Sequence, residues 1–239
     1  MLHALAAFLT MRGFEFIRTD IGISELPVKL VGGFPGFLSM ANGPTHQALE
    51  DVSLMRSIPP MQIFCPSDEA DMLIGLPSML QSPQPCYMRY NDLPPVIEHD
   101  PDFQIGKAEV ISQGDDVTIL TYGILLREAL LARALLELRG ISSGVVNLRT
   151  LKPIDEGAIL HAASESSLLV TLEDHFQTGG LYSIACELLM ERHVASRVMP
   201  ISLKDRWFKP ALLPDILFYE GFTGEEIAET ILKEFEKNA

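Results

Sequence analysis

The most chemically suggestive stretch of this chain is Asn42-Gly43-Pro44-Thr45-His46-Gln47. Gly43 permits a positive φ, and Pro44 stiffens the approach to a helix. Thr45 is a good N-cap, which would put His46 in the first turn of a helix running to about Arg56. Unpaired backbone N–H groups there suit an anion or oxyanion. Spacing alone describes a capped loop with an incidental histidine at least as well. Other polar candidates read more plainly. Asp68 suits the N-cap of a helix, and Arg89 could form a surface ion pair with Asp92. Glu173 and His175 follow an apolar strand and read as structural or interfacial. Cys65, Cys86 and Cys186 lack metal-ligand spacing and fit a reduced, cytoplasmic protein.

These residues need positioning elements, and the pattern supplies strands alternating with helices. In the first region an apolar helix face begins almost at Met1 (Leu5, Phe8, Leu9, Phe16, Ile17). A strand at 28–31, a glycine-rich loop over 32–43 and a helix over 46–56 follow. Then come a strand at 61–64, a helix over 69–80 and a strand at 86–89. A polar, proline-rich stretch over 91–104 reads as a linker. Beyond it the spacing predicts strands at 117–121, 145–148, 168–172 and 198–203. Helices are expected near 124–139 and 156–163, and another opened by the Gly179-Gly180 pair and running to about 192, with Gly140 as a C-terminal cap of the first. The implied class is α/β, two parallel-sheet, three-layer domains, the first read as truncated at its N-terminus. The domains fall at 1–92 and 105–239, with 93–104 between them.

Composition narrows the function. Thirty-two acidic residues against 18 basic ones give a net charge of −14, which argues against nucleic acid. No apolar run approaches the roughly 20 residues of a membrane span. A hydrophobic fraction of 47% without such a span suggests surface buried against other protein, hence an oligomer.

The run Gly43 to Asp51, with Leu54 to Pro59 and Pro66-Ser67-Asp68 after it, resembles the pyrimidine-binding domain of transketolases. So does Phe8 through Arg18, which is similar to that family's helix beside the cofactor's pyrimidine ring. Val117 to Gly123, Leu151 to Asp155, Glu173-Asp174-His175 and Gly179-Gly180 resemble its C-terminal domain. The motifs keep their order over nearly the whole chain, and that collinearity carries the resemblance. Deoxyxylulose-phosphate synthase and the β subunit of 2-oxo-acid dehydrogenase E1 components share the architecture.

The resemblance implies roles. Phe8 would stack on the aminopyrimidine of thiamine diphosphate, with Met11 and Phe14 lining the same pocket. His46 would contact the sugar substrate near the reacting carbon, Asn42 its hydroxyls, and Arg89 its phosphate through a fork of donors. Phe34 stands where the family commonly has a substrate-binding histidine. The family's activating glutamate lies upstream of the pyrimidine helix, and neither Glu15 nor Glu25 occupies its place. The Gly-Asp-Gly…Asn motif that holds Mg²⁺ or Ca²⁺ against the diphosphate is not found; Gly114-Asp115-Asp116 lacks its second glycine and its Asn. No metal ligand is therefore expected on this chain. The expectation is a C-terminal portion or subunit transferring a two-carbon ketol unit between sugar phosphates, with cofactor and metal shared with a partner that carries the diphosphate-binding domain. A non-catalytic assembly subunit, or activity like that of the two related families, stays open.

Overall fold

Two five-stranded sheets organise the chain, seen in a computed structural model that describes residues 1–204 and 206–237. The first sheet is built from β1 (Leu2–Leu5), β2 (Lys29–Gly33), β3 (Gln62–Phe64) and β4 (Cys86–Arg89), parallel in the order β1-β2-β4-β3. The chain thus opens on a strand, not the expected helix. Leu2–Leu5 pair with Leu30–Gly33, and that long-range backbone pairing decides a short apolar run that helix spacing also fits. The helical segment after it consists of widened turns, Phe8–Arg12 and Ile17–Gly22, flanking a short α1 (Phe14–Phe16). Next come α2 (Asp51–Arg56) and α3 (Glu69–Gln81), the latter capped by Asp68, whose Oδ1 accepts from Asp71 N at 3.0 Å.

The second half contributes β5 (Glu109–Ser112), β6 (Val117–Thr121), α4 (Leu126–Leu138), β7 (Ser143–Asn147), β8 (Thr150–Lys152), α5 (Glu156–Glu165), β9 (Leu168–Phe176), α6 (Leu181–Glu191) and β10 (Val198–Leu203). α7 (Leu213–Glu220) and α8 (Gly224–Glu236) then add two helices beyond the last expected strand. The order is β10-β9-β6-β7-β5, parallel except for the edge strand β5. β9 is buried along eight of its nine residues, as a strand covered on both faces should be.

The two halves are interleaved. β8 leaves the second half and adds antiparallel to β3, so it completes the first sheet. Beside it, Lys152 Nζ donates to the carbonyls of Arg56 and Ile58, each at 2.7 Å, satisfying the end of α2. The expected linker is anchored as well. His99 is buried, its Nε2 2.8 Å from Asp68 Oδ2 and its Nδ1 2.8 Å from Glu109 Oε2. Asp71 pairs with Arg149 at 2.8 Å, and Asn147 donates to Glu109 at 3.0 Å. The stretch 91–104 is a clasp joining α3, β5 and the β7–β8 connection. Among the described residues, no helix is long and apolar enough to cross a membrane.

Candidate functional site

Phe8 and His46, 38 positions apart in sequence, meet with ring centroids 4.9 Å apart at 53°. The Arg12 guanidinium lies 4.1 Å from the Phe8 centroid, four residues on along the widened turn. Phe8 and Met11 both pack on buried Ala6, Ala7 and Ala48, which gives a small apolar floor beside the imidazole. Phe14 does not join them. It packs on a different core with Leu9 and Ile17, because six residues of helix turn it away from the Phe8 face.

His46 does not sit in a helical turn. His46 N donates to Gly43 O at 2.9 Å in a tight turn, and α2 begins only at Asp51. The intervening residues are held by tertiary partners instead. Gly36 N donates to Ala48 O, Phe176 N to Leu49 O at 2.8 Å, and Gln47 Nε2 to Phe208 O at 2.9 Å. Three long-range anchors over Gln47–Leu49 outweigh local helix formation, so the expected anion site at a helix N-terminus is not built. Thr45 serves the histidine directly, its Oγ1 lying 2.8 Å from His46 Nδ1, and among the described residues Nε2 makes no hydrogen bond. Asn42 is exposed at the end of the helical stretch Gly36–Asn42, just past a kink at Met40. Phe34, just after β2, is 52% exposed with a φ of +55°, a conformation costly for a bulky residue.

Arg89 is neither a surface residue nor open to a phosphate in this arrangement. It is buried, its Nε 3.0 Å from Asp51 Oδ2 and its Nη1 2.6 Å from Asp174 Oδ1, with the Tyr122 ring 5.4 Å away. Burial pulls its pKa down, but Asp174 and Asp51 outweigh that and hold the guanidinium well above its ordinary value. Tyr87 Oη donates to Asp51 Oδ2 at 2.7 Å, and Phe37 N donates to Asp174 Oδ2 at 3.2 Å. One buried cation and two carboxylates therefore lock β4, α2 and the end of β9 together. Gly36 permits the approach: a Cβ there would stand 1.8 Å from Asp174 Oδ2.

Glu173 and His175 flank this lock. Glu173 accepts from Leu181 N at 2.6 Å and Tyr182 N at 3.0 Å, capping α6; burial, only partly offset by those bonds, raises its pKa to about 7. Burial lowers His175 to about 4, so the ring is neutral. Its Nδ1 donates to Phe176 O at 2.6 Å, and its Nε2 accepts from Ser53 N at 3.5 Å. The Glu173-Asp174-His175 run thus reaches from the second half to Phe37, Arg89 and Ser53 of the first. Asp51 and Asp174 were missed as a pair, because two carboxylates 123 positions apart carry no signal until the fold joins them.

Comparison with known proteins agrees with this architecture. Residues 3–93 match the transketolase pyrimidine-binding domain and residues 106–227 the transketolase C-terminal domain. The 6-deoxy-6-sulfo-D-fructose transketolase subunit SqwH of Clostridium sp. (strain MSTE9) is 40% identical over 79% of this chain. The 1-deoxy-D-xylulose-5-phosphate synthase of Dictyoglomus thermophilum is 34% identical over 98% of it. The chain spans 59% of the length of the first relative and 38% of the second. A solved split-gene transketolase, described as an inactive β4 tetramer, superposes with a TM-score of 0.87 at 32% identity, over 98% of this chain and 75% of that one.

Proposed function

The chain belongs to the transketolase family, and on that premise we propose that it is the C-terminal subunit or portion of an enzyme that moves a two-carbon ketol unit between sugar phosphates. The observation that carries this reading is the meeting of Phe8 and His46 over the Ala48 floor. A half-buried aromatic ring and Met11 on an apolar base fit one face of a flat aminopyrimidine. Thiamine diphosphate, when bound, supplies the carbanion-stabilising chemistry that such a transfer needs. Its diphosphate and a Mg²⁺ or Ca²⁺ ion are assigned to a partner chain carrying the diphosphate-binding domain. His46, oriented by Thr45, offers Nε2 to a substrate oxygen, and exposed Asn42 offers its amide to substrate hydroxyls. Arg89 is left out of substrate contact, because its donors already serve two carboxylates.

Mixing the chain with a candidate partner, thiamine diphosphate and Mg²⁺, then assaying ketol transfer from a ketose phosphate, tests the reading. Transfer that needs both chains supports it. Tight cofactor binding by this chain alone would contradict the division of labour. The occupied Arg89 favours a second reading, a non-catalytic assembly subunit. That reading predicts a stable complex with no transfer. Formation of 1-deoxy-D-xylulose 5-phosphate instead of ketol transfer would point to chemistry like that of the deoxyxylulose-phosphate synthase relative.

A further inference from the structure

The turn that carries His46 belongs to neither a helix nor a strand. From Met40 to His46 the chain is exposed or half-buried, and Gln47 is the first buried residue after the histidine. What fixes the turn comes from the second half of the chain. Before it, Phe37 N donates to Asp174 Oδ2 at 3.2 Å. After it, Gln47 Nε2 donates to Phe208 O at 2.9 Å, and Leu49 O accepts from Phe176 N at 2.8 Å.

Phe208 lies on a strap, 206–212, that leads into α7 without regular structure. The strap is itself anchored. The Phe208 ring is buried and meets Phe37 edge to face, with centroids 5.3 Å apart at 80°, so one aromatic contact ties the two ends of the turn together. Phe37 meets Phe222, ahead of α8, in the same manner at 4.9 Å and 78°. Pro210 stands beside the turn, where a Cβ on Gly43 would lie 3.8 Å from its Cγ. The strap thus runs past the turn, and the carbonyl of Phe208 is where a side chain joins the two.

A buried amide held by a carbonyl fixes where the backbone leaves the turn, and His46 is the residue immediately before it. The imidazole is bounded by Phe8, with centroids 4.9 Å apart, and by Thr45 Oγ1 at 2.8 Å. We propose that Gln47 is a positioning residue. Its bond to Phe208 O sets the direction in which His46 presents its ring beside Phe8, and the C-terminal half thereby clamps the reacting turn. Gln47 is fully buried and acts only through His46. The effect on rate rests on the ketol-transfer reading, whereas the effect on the ring does not. Displacing a reacting group by about 1 Å costs on the order of 100-fold in rate.

The clamp is tested first on the full chain alone. The Hε1 resonance of His46, assigned by its loss in His46→Gln, lies within the ring current of Phe8, and Phe8→Leu shows where it moves when that contact is gone. Gln47→Met keeps the length of the side chain and removes the donor, whereas Gln47→Asn leaves the donor one methylene short of Phe208 O. Either folded variant should carry Hε1 most of the way to its Phe8→Leu position. In the natural chain the Gln47 amide proton bonded to Phe208 O should resist exchange with deuterium, and its fast exchange would overturn the proposal with no variant needed. With the partner, thiamine diphosphate and Mg²⁺ present, each variant should lower kcat about 100-fold with KM little changed, the mark of a group misplaced in the transition state. A Gln47 that served packing alone would lower the unfolding midpoint and leave both readings where they are. An unmoved Hε1 in a folded variant overturns the proposal, as does a displaced Hε1 with the natural kcat. Absence of transfer by the natural chain would sink the ketol reading alone, and the His46 resonance would still decide the clamp.

Discussion

Alkaline pH should loosen the clasp around His99, and the size of the effect follows from its surroundings. Burial pushes the imidazole pKa down, but hydrogen bonds to Glu109 and Asp68 and the charge of Asp71 outweigh it and raise it to about 9. The charged and titratable groups facing it come from every element packed there: Asp68 and Asp71 of α3, Glu109 of β5, and Arg149 beyond β7. Because the folded value exceeds the ordinary 6.5, the stabilisation is whole below about pH 6.5 and fades as pH rises through about 9. Between pH 7 and 9.5 the loss amounts to about 2 kcal/mol, worked from that difference. For a chain of this length it corresponds to a fall in unfolding midpoint of roughly 4–8 °C. The assay compares thermal unfolding of the natural chain and His99→Gln at both pH values. Glu173, with a pKa of about 7, titrates in both proteins and cancels. The natural chain should lose its advantage over the variant as the solution becomes alkaline. An equal fall in both proteins would refute the reasoning, since no protonated His99 would then be holding the clasp.

Other perturbations probe the remaining polar sites. Arg89→Met should destabilise the chain by about 3–5 kcal/mol, because it leaves Asp51 and Asp174 buried without their cation. Denaturant unfolding reads this, and Arg89→Lys should restore little, since a point charge cannot bridge both carboxylates as the fork does. Phe34→Gly should raise stability by about 1 kcal/mol by relieving the positive φ, measured as an upward shift in midpoint. Along the acid limb, Glu109 is pushed up by burial but brought down to about 2 by His99, Asn147 and the Asp100 backbone, with Arg149 adding to the effect. Its contribution is present above pH 4.5 and drains away as pH falls through about 2, so Glu109→Gln should flatten acid unfolding there. His46→Ala, at a half-buried turn, should change stability by no more than about 0.5 kcal/mol yet abolish ketol transfer in the partnered assay.

The sequence alone determined the α/β class and most elements; it pointed to Phe8 and His46 only through a family resemblance, and their contact is a product of the tertiary structure. Cys86–Arg89 and Val117–Thr121 fall where apolar runs placed them, as strands buried at every residue draw mainly on apolar side chains, and the edge strand Val198–Leu203 falls there too with only Ile201 and Leu203 buried. Asp68 was legible as a cap, because capping is a local geometry of side chain and backbone. The short edge strands were not. β5 and β8, four and three residues long, exist only because a neighbour offers an unpaired edge. The same holds for Gln47–Leu49, which reads as the start of a helix but is drawn straight by bonds to Gly36, Phe176 and Phe208. Arg89 makes the distinction sharpest. Its type and strand-end position suggested a grip on phosphate. The tertiary structure buries it between Asp51 and Asp174, where its charge is already matched by two carboxylates and no surface is left for a phosphate to reach.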